Sequence, residues 1–426
     1  MVNSSRSKKA HIIGAGVSGL AAAVRLAGAG NRVVVYDSAG HAGGRCRSYL
    51  DTTLGRRIDN GNHLLLSGND QVMSFLGATG ATDTLTGPDK TEFPFLDLAS
   101  GERWTVRPGK WRLPLWLLCK HMRVPGSTVW DYLSALKMAW ASSRATVADC
   151  LNTSRPLYRK FWQPLTAAVL NTEPEEGAAS LLWPVLKETF GRGAAACRPL
   201  MASEGLSETF VDPAIDYIGR HGGEVHLNQR LRTIQFQNGR VIALEFPDST
   251  VKVGADDFVI LALPHDVASG LLPGVQTPTE NRAIVNGHFR LDKAPDGVTF
   301  MGLVGGIAQW LFVRGDIVSI TVSAADELAV RAGEDIAVDL WTDVCRALDL
   351  GDSPLPPYRI VKEKRATFAA TPEQATRRPV CQTEWANLML AGDWTATGLP
   401  ATIEGAVTSG HAAAKAVFDT YTGHVG

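Results

Sequence analysis

The 426-residue sequence has almost no net charge. Its 42 Lys+Arg against 43 Asp+Glu leave −1, which removes any global electrostatic case for binding nucleic acid. Its six cysteines (46, 119, 150, 197, 345 and 381) form no C-x-x-C and no metal-like pairing with histidine. They read as reduced cytosolic thiols, and neither a redox disulfide nor a metal site is expected. No stretch reaches the ~18 apolar residues that a spanning helix needs. Met1–Lys9 is polar and basic, but the apolar run behind it is too short for a signal segment. These absences predict a cytoplasmic protein, with a peripheral seat on the inner face of the cell membrane left open. Internal repeats and low-complexity tracts are also missing. A second dinucleotide motif is absent too, because Gly302-Leu303-Val304-Gly305-Gly306 lacks the spacing.

What is present begins with His11-Ile12-Ile13-Gly14-Ala15-Gly16-Val17-Ser18-Gly19, an apolar strand entering a G-x-G-x-x-G turn. Gly14 permits the tight turn, Gly16 lets backbone approach a pyrophosphate, and Gly19 lets the next helix, Ser18 to about Gly28, pack on the sheet. A second strand, Arg32–Asp37, ends in an acid at the offset of a ribose hydroxyl acceptor, and an acid there repels the 2′-phosphate of NADP. His41-Ala42-Gly43-Gly44-Arg45-Cys46-Arg47-Ser48 then supplies two flexible glycines and two guanidinium groups suited to a pyrophosphate. The far end of the chain, Ala391-Gly392-Asp393-Trp394 through Ala401-Thr402-Ile403-Glu404-Gly405-Ala406, completes the pattern. Together these segments point to a bound flavin.

With these motifs the chain resembles the flavin-containing amine oxidase and phytoene desaturase superfamily. Within it, Gly43–Ser48, Ile58-Asp59-Asn60-Gly61-Asn62-His63-Leu64-Leu65-Leu66 and Ala391–Ala406 are most similar to the hydroxysqualene dehydroxylase family. Asn62 departs from the Gln expected there. The resemblance implies FAD held by Gly14, Gly16, Gly19, Asp37, Gly43, Gly44 and Arg45. It also implies the backbone at Val225 meeting the adenine and Gly392-Asp393 meeting the ribityl or phosphate part. The helix start at Thr402 and Ile403 would face the flavin pyrimidine ring, where a helix N-terminus stabilises negative charge.

The implied fold is α/β: a discontinuous Rossmann-type FAD-binding domain (1–90, 204–272, 381–426) and a substrate domain (91–203, 273–380) of mixed sheet and helices. Segment 91–203 reads as largely helical. Segment 205–263 reads as helix, strand, a hairpin through Asn238-Gly239, and the strand Phe258–Leu263. A strand at Val318–Val322 should precede a helix from Asp335 to Leu348.

Three residues are candidates for catalysis. His63 is either a group beside the flavin or a hydrogen-bonded core residue. Asp59 is an acid if burial raises its pKa, or a binding residue. Glu404, in a helix first turn that favours its ionised form, would stabilise a cation. Trp162, Trp183 and Trp310 either line a tunnel or pack the core. Trp104–Pro125 mixes aromatic, aliphatic and cationic groups, as an interfacial segment or a buried lid helix would.

The activity implied by the resemblance is reductive removal of the allylic hydroxyl of hydroxysqualene to give squalene. Partners would be the isoprenoid, an external electron donor (NADPH or a reductase) and a membrane surface. A carotenoid-type desaturase, a flavin amine oxidase with an aromatic cage, for which Trp394 is a partial match, and a non-enzymatic flavin protein are the alternatives.

Overall fold

The computed structural model describes residues 8–111 and 114–422; Arg112 and Leu113 of the cationic segment lie outside them. Strand β1 (Lys9–Ile13) leads through Gly16 into helix α1 (Val17–Gly28), and β2 (Arg32–Tyr36) returns beside β1. Far along the chain come β3 (Glu224–His226), β4 (Phe258–Leu261), β5 (Leu388–Leu390) and helix α2 (Ile403–Thr422). The five strands form one parallel sheet in the order β3-β2-β1-β4-β5. Every residue of β4 and β5 is buried, as expected for strands of a parallel sheet covered on both faces.

Helix α1 is rich in alanine because another helix presses on it. A Cβ on Gly410 of α2 would collide with the Ser18 carbonyl and come within 3.0 Å of the Ala21 Cβ. Close contact therefore joins the first and last helices of the chain.

A seven-stranded mixed sheet forms the second layer, in the order 358–368, 281–290, 317–322, 310–314, 300–304, 93–97, 103–106. Helix Gly333–Ala347 buries Ile336, Leu340 and Val344 in the core that this sheet shares. Segment 91–203 opens with an unforeseen hairpin, Phe93–Asp97/Arg103–Val106, ahead of a run of short helices. Arg103–Val106 alternates between core and surface, Phe93–Asp97 is buried except at Pro94, and Phe95 stacks on its cross-strand partner Trp104 at 5.6 Å. The turn at Asn238-Gly239 has φ of 51° and 70° and joins strands Thr233–Gln237 and Arg240–Phe246, the left-handed pair that a tight hairpin needs.

Segment 104–125 is neither one unit nor a lid helix. Trp104 is buried in the sheet, whereas 115–122 forms two short 3-10 turns. Trp111, Leu115 and Leu118 are exposed, as are Trp130, Leu136 and Trp140 of the following helical stretch. Tyr132 ties the two stretches together, accepting the Val124 amide at 2.8 Å and meeting Trp116 edge-on.

Candidate functional site

The two glycine turns are clamped together. The Gly43 amide donates to the Ala15 carbonyl at 2.8 Å, and a Cβ on Gly44 would lie 3.5 Å from the Gly16 Cα. Gly14 has φ of +109° and donates its amide to the Tyr36 carbonyl at 2.7 Å. A Cβ there would strike the Ala262 carbonyl, and one on Gly19 would strike the Gly14 carbonyl. Gly16 differs, since a Cβ on it meets no protein atom within 4 Å. The space beside Gly16 is open and lies at the start of α1, where the first-turn amides have no acceptor within the helix. Orphan donors at a helix N-terminus, reached past a residue without a side chain, fit a pyrophosphate.

Asp37 braces this turn directly. Its Oδ2 accepts the Ala15 amide at 2.7 Å and its Oδ1 the Ala39 amide at 2.8 Å. Each oxygen keeps a further lone pair for a hydroxyl. Val225 lies at the centre of β3, the edge strand next to β2.

Arg45, expected to hold a phosphate, also has protein partners. Its Nη2 donates to both Asp393 oxygens, at 2.9 and 2.8 Å, and its Nη1 donates to the Ala366 carbonyl. The charge-assisted pair leaves the rest of the guanidinium edge, 44% exposed as a side chain, facing outward. The Asp393 charge holds the Arg45 pKa above its ordinary value. The pair joins the second glycine turn to the closing segment, 348 residues apart. Gly392, with φ of +144°, donates its amide to Ser409 Oγ at 2.6 Å, and Ser409 Oγ meets Ser18 Oγ at 2.8 Å. The closing loop is thereby fixed to both α2 and α1.

Thr402 caps α2. Its Oγ1 accepts the Gly405 amide at 3.1 Å, which leaves the amides of Ile403 and Glu404 as the orphan donors of the first turn. Glu404 corrects a further expectation. Its two oxygens accept the amides of Gln71 at 3.0 Å and Val72 at 2.9 Å, the first turn of helix Asp70–Thr79. Burial raises its pKa, and the two amides pull it back. Its partner is a helix start, not a cation.

Asp59 also has a structural partner set. It accepts Ser48 Oγ at 2.6 Å and the Leu206 amide at 3.0 Å, and pairs with Arg314 at 2.7 Å. All three partners donate, and none takes a proton from Asp59. Next to it, Asn62 Nδ2 donates to Thr321 Oγ1 at 3.1 Å, and Thr321 donates to Asn286 Oδ1 at 2.8 Å. The loop that carries His63 is thus tied to the seven-stranded sheet. His63 itself sits deep among protein atoms, and this burial lowers its pKa; nearby Asp59 opposes the shift and Arg45 adds to it. The residue is nevertheless exposed to solvent, as is the Arg45 side chain. Both side chains therefore line an interior cleft between the two sheets.

Trp394 is fully buried with its indole N–H on the Leu263 carbonyl at 2.8 Å, so it offers no face to an aromatic cage. Trp162 and Trp310 are buried in the core, and Trp183 packs partly buried against it. Sequence reasoning missed Arg314, Asn286, Thr321 and Arg378. All four lie outside the glycine motifs, and no spacing marks them; Arg314 and Thr321 stand out only as polar residues in otherwise apolar strands.

Comparisons with known proteins agree with this geometry. Residues 17–418 match the flavin containing amine oxidoreductase family model. The chain is 46% identical over 412 residues to the hydroxysqualene dehydroxylase of Rhodopseudomonas palustris, covering 96% of this chain and 98% of that one. It is likewise 46% identical over 407 residues to that of Sinorhizobium fredii, covering 96% and 97%. Among solved structures, a putative protoporphyrinogen oxidase from Exiguobacterium superposes with a TM-score of 0.69 at 16% identity, covering 98% of this chain and 99% of that one; at that identity the likeness concerns the fold. The chain therefore belongs to the flavin-containing amine oxidoreductases and, within them, to the hydroxysqualene dehydroxylase family.

Proposed function

We propose that this FAD-dependent oxidoreductase replaces the allylic hydroxyl of hydroxysqualene with hydrogen, giving squalene. The observation that carries the reading is the meeting of three distant segments, 14–19, 43–45 and 392–404, at one cleft, in a chain nearly half identical to named hydroxysqualene dehydroxylases. FAD would lie with its pyrophosphate over Gly16 and the start of α1, its ribose at Asp37 and its adenine by Val225. The orphan amides of Ile403 and Glu404 would meet its other end. Reduced FAD supplies a hydride when bound.

The protein's own residues do the rest. The C–O bond breaks, a C–H bond forms, and the hydroxyl leaves with one proton as water. His63 faces the cleft with a lowered pKa, so at neutral pH it is uncharged. Its ring N–H can hold the departing oxygen by a hydrogen bond without setting a cation beside the allylic carbon. Water must be kept from that carbon, since it would compete for it.

The electrons come from outside, from NADPH or a partner reductase, because the chain has a single dinucleotide turn. Among the described residues, no helix is long and apolar enough to cross a membrane. The exposed Trp111, Leu115, Leu118, Trp130 and Trp140, together with nearby cations, would instead seat a cytoplasmic protein on the lipid that holds its substrate. Chemically reduced enzyme, assayed anaerobically against hydroxysqualene, phytoene and simple amines, should convert hydroxysqualene alone. Desaturation of phytoene by oxidised enzyme, or oxidation of an amine, would replace this reading.

A further inference from the structure

Arg378 is a buried cation that the cleft geometry leaves unexplained. It follows the short helix Pro372–Thr376 and is only 8% exposed. Among the described residues it forms no ion pair. Its Nε donates to the Trp394 carbonyl at 3.4 Å, and its Nη2 donates to the Asp393 carbonyl and Thr397 Oγ1, each at 3.2 Å, and to the Thr395 carbonyl. The Phe368 ring lies 5.1 Å from the guanidinium carbon. Burial draws its pKa down to about 10, against the opposing pull of Asp393.

Keeping a guanidinium away from water without a carboxylate costs several kcal/mol. Holding carbonyls in place does not require that charge, since neutral amide donors make the same kind of bond. The charge itself needs a purpose.

Its position supplies one. Asp393 presents its carbonyl to Arg378 and its carboxylate to Arg45 of the second glycine turn. Arg378 therefore stands directly behind the loop that closes the cleft. Asp393, which pulls the Arg378 pKa back up, is itself paired with Arg45 rather than with Arg378. Glu363 also faces Arg45, at longer range. In a low-dielectric interior a charge acts over distances at which water would screen it, and the 393–397 carbonyls hold it in place.

We propose that Arg378 is a positioning residue whose buried charge, held behind the 393–397 loop, favours the reduced, electron-rich form of the FAD in this cleft. The inference rests on the FAD site proposed above. Reduction adds two electrons, taken from the external nicotinamide or reductase donor, and hydride transfer later removes those two electrons with one proton. A fixed positive charge beside the cleft stabilises the state that holds them. The reduced cofactor is then the form in which the enzyme waits for substrate.

The test uses FAD-loaded protein and the reduction potential of its flavin, measured anaerobically by equilibration with a reference dye. R378Q keeps donors for the loop but removes the charge, whereas R378K keeps the charge but loses the fork. The equilibrium constant for reduction should fall about tenfold or more in R378Q, about 30 mV for a two-electron couple. It should stay near the wild-type value in R378K, with FAD content preserved in both. A purely structural staple predicts the reverse order of damage. R378Q with the wild-type potential, or R378K displaced as far as R378Q, would overturn the inference; if R378Q does not fold, R378K against wild type still decides it. Wild-type protein that bound no FAD would strike instead at the site itself.

Discussion

Gly16 shows what a single residue decides in this protein. Nothing in the fold needs a glycine there: its φ is an ordinary −70° and a Cβ on it touches no protein atom. Gly14 and Gly19, by contrast, would clash with backbone carbonyls. Gly16→Val should therefore leave folding intact and fill the space assigned to the pyrophosphate. The purified variant should be colourless, with wild-type circular dichroism and thermal midpoint. A yellow, fully loaded Gly16→Val protein would refute this account of the turn.

The glycines were legible in the sequence because each answers to a steric rule. The partners of Arg45, Asp393 and Glu404 were not. A motif states which charged groups converge but not which of them pair off. Arg45 meets Asp393, and Glu404 meets the start of helix 70–79, because long-range packing brings those groups within hydrogen-bond reach.

Among the elements, the parallel strands and the helices α1 and α2 were readable from apolar runs, turn glycines and the hairpin dipeptide. The hairpin 93–106 was not, because its period-two alternation is short and is followed by a Trp- and Leu-rich stretch that dominated the reading. In that stretch, large apolar side chains stand in solvent on short turns; Trp111, Trp130 and Trp140 are 74, 76 and 82% exposed. Patches of this kind mark interaction surfaces. Full-length protein should co-sediment with anionic vesicles in a salt-sensitive way, each cation near the surface contributing about 1 kcal/mol. Replacing the three tryptophans with serine should release the protein while retaining FAD absorbance. Unchanged sedimentation of the triple variant would assign the patch to another partner.

At the scale of the whole molecule, both sheets and helix α2 carry buried imidazoles that the fold holds neutral. Burial pushes His11, His288 and His411 down to about 4 from an ordinary 6.5. Lys9 adds to the shift at His11 and Asp59 opposes it at His288. With the folded value below the unfolded one, the unfolded chain takes up protons first as pH falls. Stability present above pH 6.5 is therefore lost between pH 6.5 and about 4, by up to roughly 1.4 kcal/mol per pH unit for each group. The urea midpoint should drop between pH 7 and pH 5, and His288→Asn should make that drop shallower. Equal slopes for wild type and variant would show that His288 is not held neutral by the fold.

The central claim is the direction of hydride flow. Enzyme reduced with deuterium at the flavin N5 position and mixed anaerobically with hydroxysqualene should yield squalene carrying one deuterium, on the carbon that lost its hydroxyl, with one flavin oxidised per product. Squalene formed without label, or label appearing only in solvent, would contradict the account.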